Sequence, residues 1–294
     1  MMNRLLSSCV YCWSWMTTLG ISLVAGLLLF YLLSQGLPTI GRELFFGDAP
    51  IWAGIFGQVR IWDALWPACV GTLFLVLLAA LMAVPLGIAS GIYLACFASK
   101  PFKRILSLLV ELLAGTPSIV MGLFGFALIL FLRNTFLPDA NTSLFLAASC
   151  LALLILPYLI FTTQAALESL SYEYRLIGPS LGFSQLQTVF HILVPAAGRS
   201  ILGGVILSVG RAAEDTAVIM LTGVIANAGL PQGLFGKFEA LPFRIFYLAA
   251  EYQTPAELDS AYGTALVLLS LTGMLYGGAF TLHKTLAWRW NQNG

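Results

Sequence analysis

Arg211, Glu214, Asp215 and Thr216 are the residues of this chain whose types and spacing could do chemistry. They lie inside an apolar run, Ser200–Val224, which reads SILGGVILSVGRAAEDTAVIMLTGV. As a helix rising ~1.5 Å per residue, the run puts Arg211 on the order of 16 Å from its start. That is near the middle of a hydrocarbon layer roughly 30 Å thick. A charge at that depth is unfavourable unless it faces protein or water and has partners. Helical spacing predicts those partners as Glu214 at i+3 and Asp215 at i+4. Such a cluster suits a polar path for an ion or polar solute, and the same residues also read as a structural ion pair that glues two helices.

The elements that must hold this cluster follow from composition. The chain has 294 residues, of which 59% are hydrophobic and 9% charged. Soluble proteins carry about 25% charged residues, so this is an integral membrane protein. Membrane barrels need alternating segments of ~10 residues. The apolar runs here are continuous and longer, so the spans are helices. A formal net charge of +1 gives no sign of nucleic-acid binding. Six runs are long enough to cross: Met16–Leu33, Pro67–Phe97, Ile105–Leu132, Ser143–Phe161, Ser200–Val224 and Ala261–Leu282. The first follows Arg4, is longer than a signal-peptide core and lacks an A-x-A-like exit, so it reads as an uncleaved span.

Lys and Arg set the orientation. One set of flanks holds Arg4, Lys100, Lys103, Arg104, Arg175, Arg199, Lys284 and Arg289; the opposite loops hold the smaller set Arg42, Arg60, Arg133, Lys237 and Arg244. The bias predicts both termini in the cytoplasm. The cysteines are scattered, and Cys9 and Cys12 form a lone C-x-x-C without a second ligand pair, so no metal site is expected.

The third run is too long to cross straight and contains Gly115-Thr116-Pro117-Ser118. Proline removes a backbone donor and kinks a helix. Breaks of that kind occur where backbone is covered or lines a cavity, so Gly115, Pro117 and Ser118 are expected to line the path. Gly87–Gly91 and Gly273–Gly277 are spacings that permit close helix approach. Glu111 is expected near the cytoplasmic interface. The outer loops Gln35–Trp66 and Ala226–Ser260 read either as amphipathic pieces folded over the outer mouth or as plain connectors.

Between the fourth and fifth runs, Glu168–Arg199 is polar and helix-like. Gly182 ends one helix and Ser184 is placed to cap the next. Leu186, Val189, Phe190 and Leu193 then form one apolar stripe, and Pro195 stops the helix. The stretch LIGPSLGFSQLQTVFHILVP is similar to the EAA loop of ABC importer permeases, E-A-A-x3-G-x9-I-x-L-P. Gly182, Ile192 and Pro195 fit that pattern, Val194 stands where leucine is usual, and Leu176-Ile177-Gly178 replaces E-A-A. Gly71–Leu94, Leu112–Leu128, Gly210–Gly223 and Ala240–Ala249 resemble phosphate ABC transporter permeases, the last of them the A-type subunit. In the pattern G-R-A-x-G-E-T, Arg211 and Thr216 match, while Glu214 and Asp215 replace the glycine and the glutamate.

The resemblance implies an all-α integral membrane protein of six transmembrane helices with the ABC importer permease fold, in a bacterial inner membrane. It implies a first span and external loop over 1–66, a permease domain over 67–284 with its coupling loop at 168–199, and a cytoplasmic tail at 285–294. A homologous permease subunit would complete the path. Two ATPase subunits would hold ATP and Mg, which this chain would not bind, and an external phosphate-binding protein would deliver the anion. Gly178, Gly182, Phe183, Ser184, Ile192 and Pro195 would form the ATPase contact. The chain has no Walker A: Gly229–Lys237 has the wrong spacing and Phe238 follows the lysine. An ion-coupled secondary transporter of an anion would also explain a charged cluster and broken helices, but it gives no reason for the Gly182–Pro195 spacing. An intramembrane enzyme finds no supporting motif, since neither H-E-x-x-H nor G-x-S-x-G occurs and His191 and His283 are far apart. A scaffold that moves nothing would tolerate loss of the Arg211 charge.

Overall fold

The computed structural model describes residues 2–47, 49–55 and 64–292, with side chains described from residue 10 to 281 apart from 48, 53, 56–63 and 279. Arg60 and the last two residues of the expected tail lie outside the described residues. So do the side chains of Arg4, Cys9, His283, Lys284 and Arg289.

The described residues are helical except for turns and one isolated β-bridge between Val224 and Phe238. In chain order the helices are α1 (Met2–Gly36), α2 (Arg42–Phe46), α3 (Ile51–Ile55), α4 (Trp66–Cys96), α5 (Lys100–Ala114), α6 (Ser118–Thr135) and α7 (Leu144–Glu168). Then follow α8 (Tyr172–Ser180), α9 (Gln185–Thr188), α10 (Val194–Glu214), α11 (Ala217–Thr222), α12 (Leu241–Glu251) and α13 (Pro255–Gln292). Six stretches are long and apolar enough to cross a membrane, carried by α1, α4, α6, α7, the continuous α9–α10 segment and α13. The chain is a multi-pass membrane protein.

Two of the expected spans are redrawn. The run Ile105–Leu132 divides into α5 and α6, and only Ser118–Thr135 spans by itself. The run Ser200–Val224 ends early, because the helix stops at Glu214, and its crossing segment starts earlier, at Gln185.

The centre of the fold is α7, whose Leu151, Ile155, Leu159 and Leu167 are fully buried. Helix α4 lies closest to it because two glycines let the backbones approach. A Cβ added at Gly91 would come within 2.6 Å of Thr163 Cβ and 2.8 Å of Ile160 O. At Gly87 it would press on Leu159. The similar pair Gly273–Gly277 meets nothing within 4 Å, so spacing alone did not separate a packed pair from an open one. Gly91→Val should overpack this contact and remove about 1–3 kcal/mol of stability. The measurable outcome is a lower Tm of the purified protein in detergent, with Gly277→Val unchanged beside it.

The two ends of the bundle differ. At one end Lys103 is bridged to Glu168, and Gln185 Nε2 donates to Cys96 O (2.8 Å). This gathers the Lys100–Arg104 cluster and the α8–α9 segment on one side, as the charge pattern predicts. At the other end the segment after α11 folds into a cap. Ser143 N–H donates to Thr222 O (2.9 Å), Leu144 N–H to Gly236 O (3.0 Å) and Phe145 N–H to Leu234 O (2.8 Å). These bonds satisfy the first amides of α7, which an uncovered helix start would leave unpaired. Leu241 N–H donates to Thr72 Oγ1 (2.9 Å), and buried Glu239 sits 3.9 Å from Arg244. The loop 226–260 is therefore a folded cap and not a plain connector. Helix α1 touches α13 through Tyr31 and Tyr262, edge to face at 5.7 Å.

Candidate functional site: two helix breaks and an open stripe

Contacts on α7 act as a depth scale. Val110 of α5 packs with Ile160, and Leu113 packs on the cluster containing Leu154 and Ile155. Beyond the break, Gly125 of α6 lies against Cys150 and Thr222. The Gly115–Pro117 break therefore falls between the levels of Ile160 and Cys150, at the middle of α7. Pro117, with φ −60° and ψ 144°, is extended and starts α6 at Ser118. Glu111 lies beside Val110, eight residues beyond Lys103 and so ~12 Å along α5 from the Lys103–Glu168 bridge.

A second break stands at the same depth. Gly204 of α10 faces Thr162 of α7, and Ala212 belongs to the central core. Seven residues of helix beyond Gly204, or ~10 Å, bring Arg211 level with the middle of α7. Helix α10 ends at Glu214. Asp215 is extended (φ −73°, ψ 124°), and its Oδ1 accepts from Val218 N–H at 2.9 Å, capping the short helix α11. Thr216 opens α11, its carbonyl accepting from Met220 N–H (3.1 Å). Gly122 and Gly125 bring α6 against Ala217–Val218 and Thr222, so α6 and α11 run side by side in the same direction from the two breaks.

This overturns the expected Arg211–Glu214–Asp215 cluster. Among the described residues the ion pairs are Lys103–Glu168 and Arg244–Glu239. Arg211 makes neither an ion pair nor a hydrogen bond there. The i+4 geometry requires a continuous helix, and Asp215 ends it by turning its carboxylate to a backbone amide. Arg211 instead occupies the last turn of α10, where the helix dipole favours a cation.

Arg211 belongs to a stripe that the fold leaves uncovered. Gly203 has nothing within 4 Å, Leu207 is 53% exposed, and Arg211 and Glu214 are exposed. These positions recur at helical spacing on one face of α10. Gly210 lies on that same face but is buried, because Tyr276 of α13 leans over it. Nothing in the spacing of the sequence singles out Tyr276.

The loop at the Lys103 end follows the expected grammar up to its end. Helix α8 closes in a Schellman turn: Phe183 N–H donates to Gly178 O (2.9 Å) and Gly182 N–H to Pro179 O (3.1 Å). Gly182 has φ +75°, a conformation that favours glycine. Ser184 forms a capping box with Gln187, at 3.3 and 2.9 Å. Gly178 lies so close to Thr188 that any Cβ there would overlap the threonine side chain. The apolar stripe divides: Val189 and Leu193 are buried, whereas Leu186 (60%) and Phe190 (53%) are exposed.

Pro195 does not stop the helix. Residues Val189–Leu193 form a π-turn in which Val194 N–H reaches back to Val189 O, and α10 continues without a gap. A proline inside a helix has no N–H for the carbonyl four residues back, and its ring crowds that carbonyl. Widening the preceding turn relieves both. Ile192, half-buried, sits inside this turn. Gln185–Glu214 is thus one rod of 30 residues, ~45 Å long by helical rise.

The same architecture occurs in solved ABC importers. The chain superposes on the inward-facing MetNI methionine ABC transporter with a TM-score of 0.59 at 15% identity, covering 74% of this chain and 94% of that one. It also superposes on a bacterial ABC transporter involved in import of the acidic polysaccharide alginate, with a TM-score of 0.56 over 91% of this chain and 95% of that one. The fold is that of an ABC importer permease. In sequence the chain is 34% identical to the phosphate transport system permease protein PstA of Mycobacterium leprae over 74% of this chain and 70% of that protein. It is 31% identical to the Haemophilus influenzae protein of the same name over 90% and 91%. Residues 83–280 match the family described as binding-protein-dependent transport system inner membrane component, and that span holds both helix breaks, the α8–α9 segment and the open stripe. The chain belongs to that family of membrane transport components.

Proposed function

We propose that this chain is one permease subunit of an ATP-driven importer of inorganic phosphate. The observation that carries the proposal is the open stripe of α10, with Arg211 and Glu214 at mid-depth beside two helix breaks. Charges at that depth do not face lipid, so the stripe needs a protein cover and water. A homologous permease subunit supplies the cover, and the space between the two is the path. Gly115, Pro117 and Ser118 border it at the start of α6, and Asp215 and Thr216 border it at the start of α11. The names of the relatives supply the substrate class.

Arg211 presents a planar fork of donors matched to phosphate oxygens. Glu214, on the same stripe, opposes tight binding, which suits a site that must release the anion. At the far end of the rod, exposed Leu181, Phe183, Leu186 and Phe190 form an apolar knob for a groove on a cytoplasmic ATPase. Leu176-Ile177-Gly178 stands in place of E-A-A, with Leu176 at the position of the acid, so this contact rests on apolar packing. ATP and Mg belong to two such ATPase subunits, and an external phosphate-binding protein meets the folded cap. Both termini then lie in the cytoplasm with the Lys100–Arg104 cluster.

The test is reconstitution of the chain with its partner permease, ATPase and binding protein in proteoliposomes, followed by uptake of radiolabelled phosphate. ATP-dependent uptake that requires all components is expected. Uptake by this chain alone on an ion gradient would replace the proposal with a secondary anion transporter. Preference for sulfate over phosphate would overturn the substrate.

A further inference from the structure

Tyr276 stands where no motif or relative's name points. It lies on α13, and its hydroxyl rests against the Cα of Gly210 so closely that a Cβ on that glycine would overlap it. Gly210 falls on the helical face of α10 that carries Gly203, Leu207 and Glu214 at i−7, i−3 and i+4, with Arg211 next to it. The phenol therefore crosses from α13 onto the uncovered stripe itself, one turn from Glu214 and one residue from Arg211. It also lies within electrostatic reach of Glu214 and of Tyr158 on α7. The ring is half-buried, and none of the described residues hydrogen-bonds its hydroxyl. An O–H at mid-depth in a membrane without a protein partner needs another acceptor.

We propose that the Tyr276 hydroxyl contacts the translocated anion, donating to an oxyanion oxygen beside the Arg211 guanidinium. This rests on the reading of the open stripe as the path and adds a second donor, supplied by a different helix. A phenol is suited to the position. It donates to a tetrahedral oxyanion without adding charge, so it orients the solute without deepening the well that Arg211 makes. Because the donors sit on α10 and α13, any motion of one helix past the other separates them and loosens the anion.

The test compares Tyr276→Phe with Arg211→Gln in the reconstituted importer. The phenylalanine keeps the ring against Gly210 and removes only the donor. Expected is a rise in apparent KM for phosphate of roughly tenfold or more, the loss of one hydrogen bond to a charged group, with unchanged complex recovery and basal ATP hydrolysis. Gly210→Ala should shift KM in the same direction by pushing the hydroxyl off the stripe. An uptake curve for Tyr276→Phe that superimposes on the parent overturns the proposal. So does a lower Tm with KM unmoved, which assigns the hydroxyl to packing alone. If Arg211→Gln loses uptake while Tyr276→Phe does not, only the Tyr276 assignment falls; if neither variant alters uptake, the reading of the stripe as the path falls with it.

Discussion

Arg211→Ala should lower phosphate uptake at least tenfold, while the assembled complex is recovered in normal amount. The expectation comes from the absence of a partner within the described residues. Breaking a buried ion pair strands the other charge and costs about 3–5 kcal/mol, so a paired arginine would fail first in assembly. Arg211 strands nothing when removed, because Asp215 is already engaged at Val218 N–H and Glu214 is exposed. What is lost is the fork of donors at mid-depth, and a charge-assisted hydrogen bond contributes about 1.5–3 kcal/mol. That range is a ten- to hundredfold change at ~1.4 kcal/mol per decade. Quantified membrane levels beside initial uptake rates decide it. Normal uptake would remove Arg211 from the path, and loss of assembly would return it to a structural role. Asp215→Ala acts differently: it removes a cap, for which the penalty is about 1 kcal/mol, and should show first as a lower Tm.

Gly178→Leu should abolish uptake by detaching the ATPase. Thr188 fills the space where any side chain at residue 178 must go. The substitution therefore pries α8 from α9 and tilts the exposed Phe183, Leu186 and Phe190 away from one another. Gly182→Asp is the gentler change. Its Cβ would meet nothing within 4 Å, and only the positive φ is strained, at about 1–2 kcal/mol for a side chain forced into that region. The ratio of ATPase to permease after affinity purification, read beside ATP-driven uptake, ranks the two. Full co-purification and full uptake in Gly178→Leu would reject the α8–α9 surface as the ATPase contact.

Much of this architecture was legible because it is dictated locally. The existence of six spans, the Gly182 end of α8 and the Ser184 cap are read from neighbouring residues and the fold forms them, although the bounds of the third and fifth spans shift. The break at Gly115–Pro117 was legible too, since proline carries its own geometry. Asp215 was misread because a carboxylate inside an apolar run serves equally as an i+4 partner or as a helix breaker, and the choice depends on which backbone amide it reaches. Pro195 was misread for a related reason. Its missing donor ends a helix only when packing does not hold the chain on course, and here buried Val189, Leu193 and Ala197 anchor the turns on either side so that the helix continues. Tyr276 is set by the approach of α13 to α10, more than sixty residues apart in the chain, and no local pattern encodes that approach.

The π-turn ahead of Pro195 has a geometric consequence. One residue extra in a helix rotates everything beyond it by about 100° relative to everything before it. Leu186 and Phe190 stand exposed at one end of the segment and Arg211 at the other, each on its own bearing about the axis. The wide turn acts as a phase shifter between those two bearings. A chain shortened by one residue in Val189–Leu193 regains an unbroken α-helix and swings the guanidinium off its heading, so under the proposed function the irregularity at Pro195 keeps the ATPase contact and the path facing their separate directions.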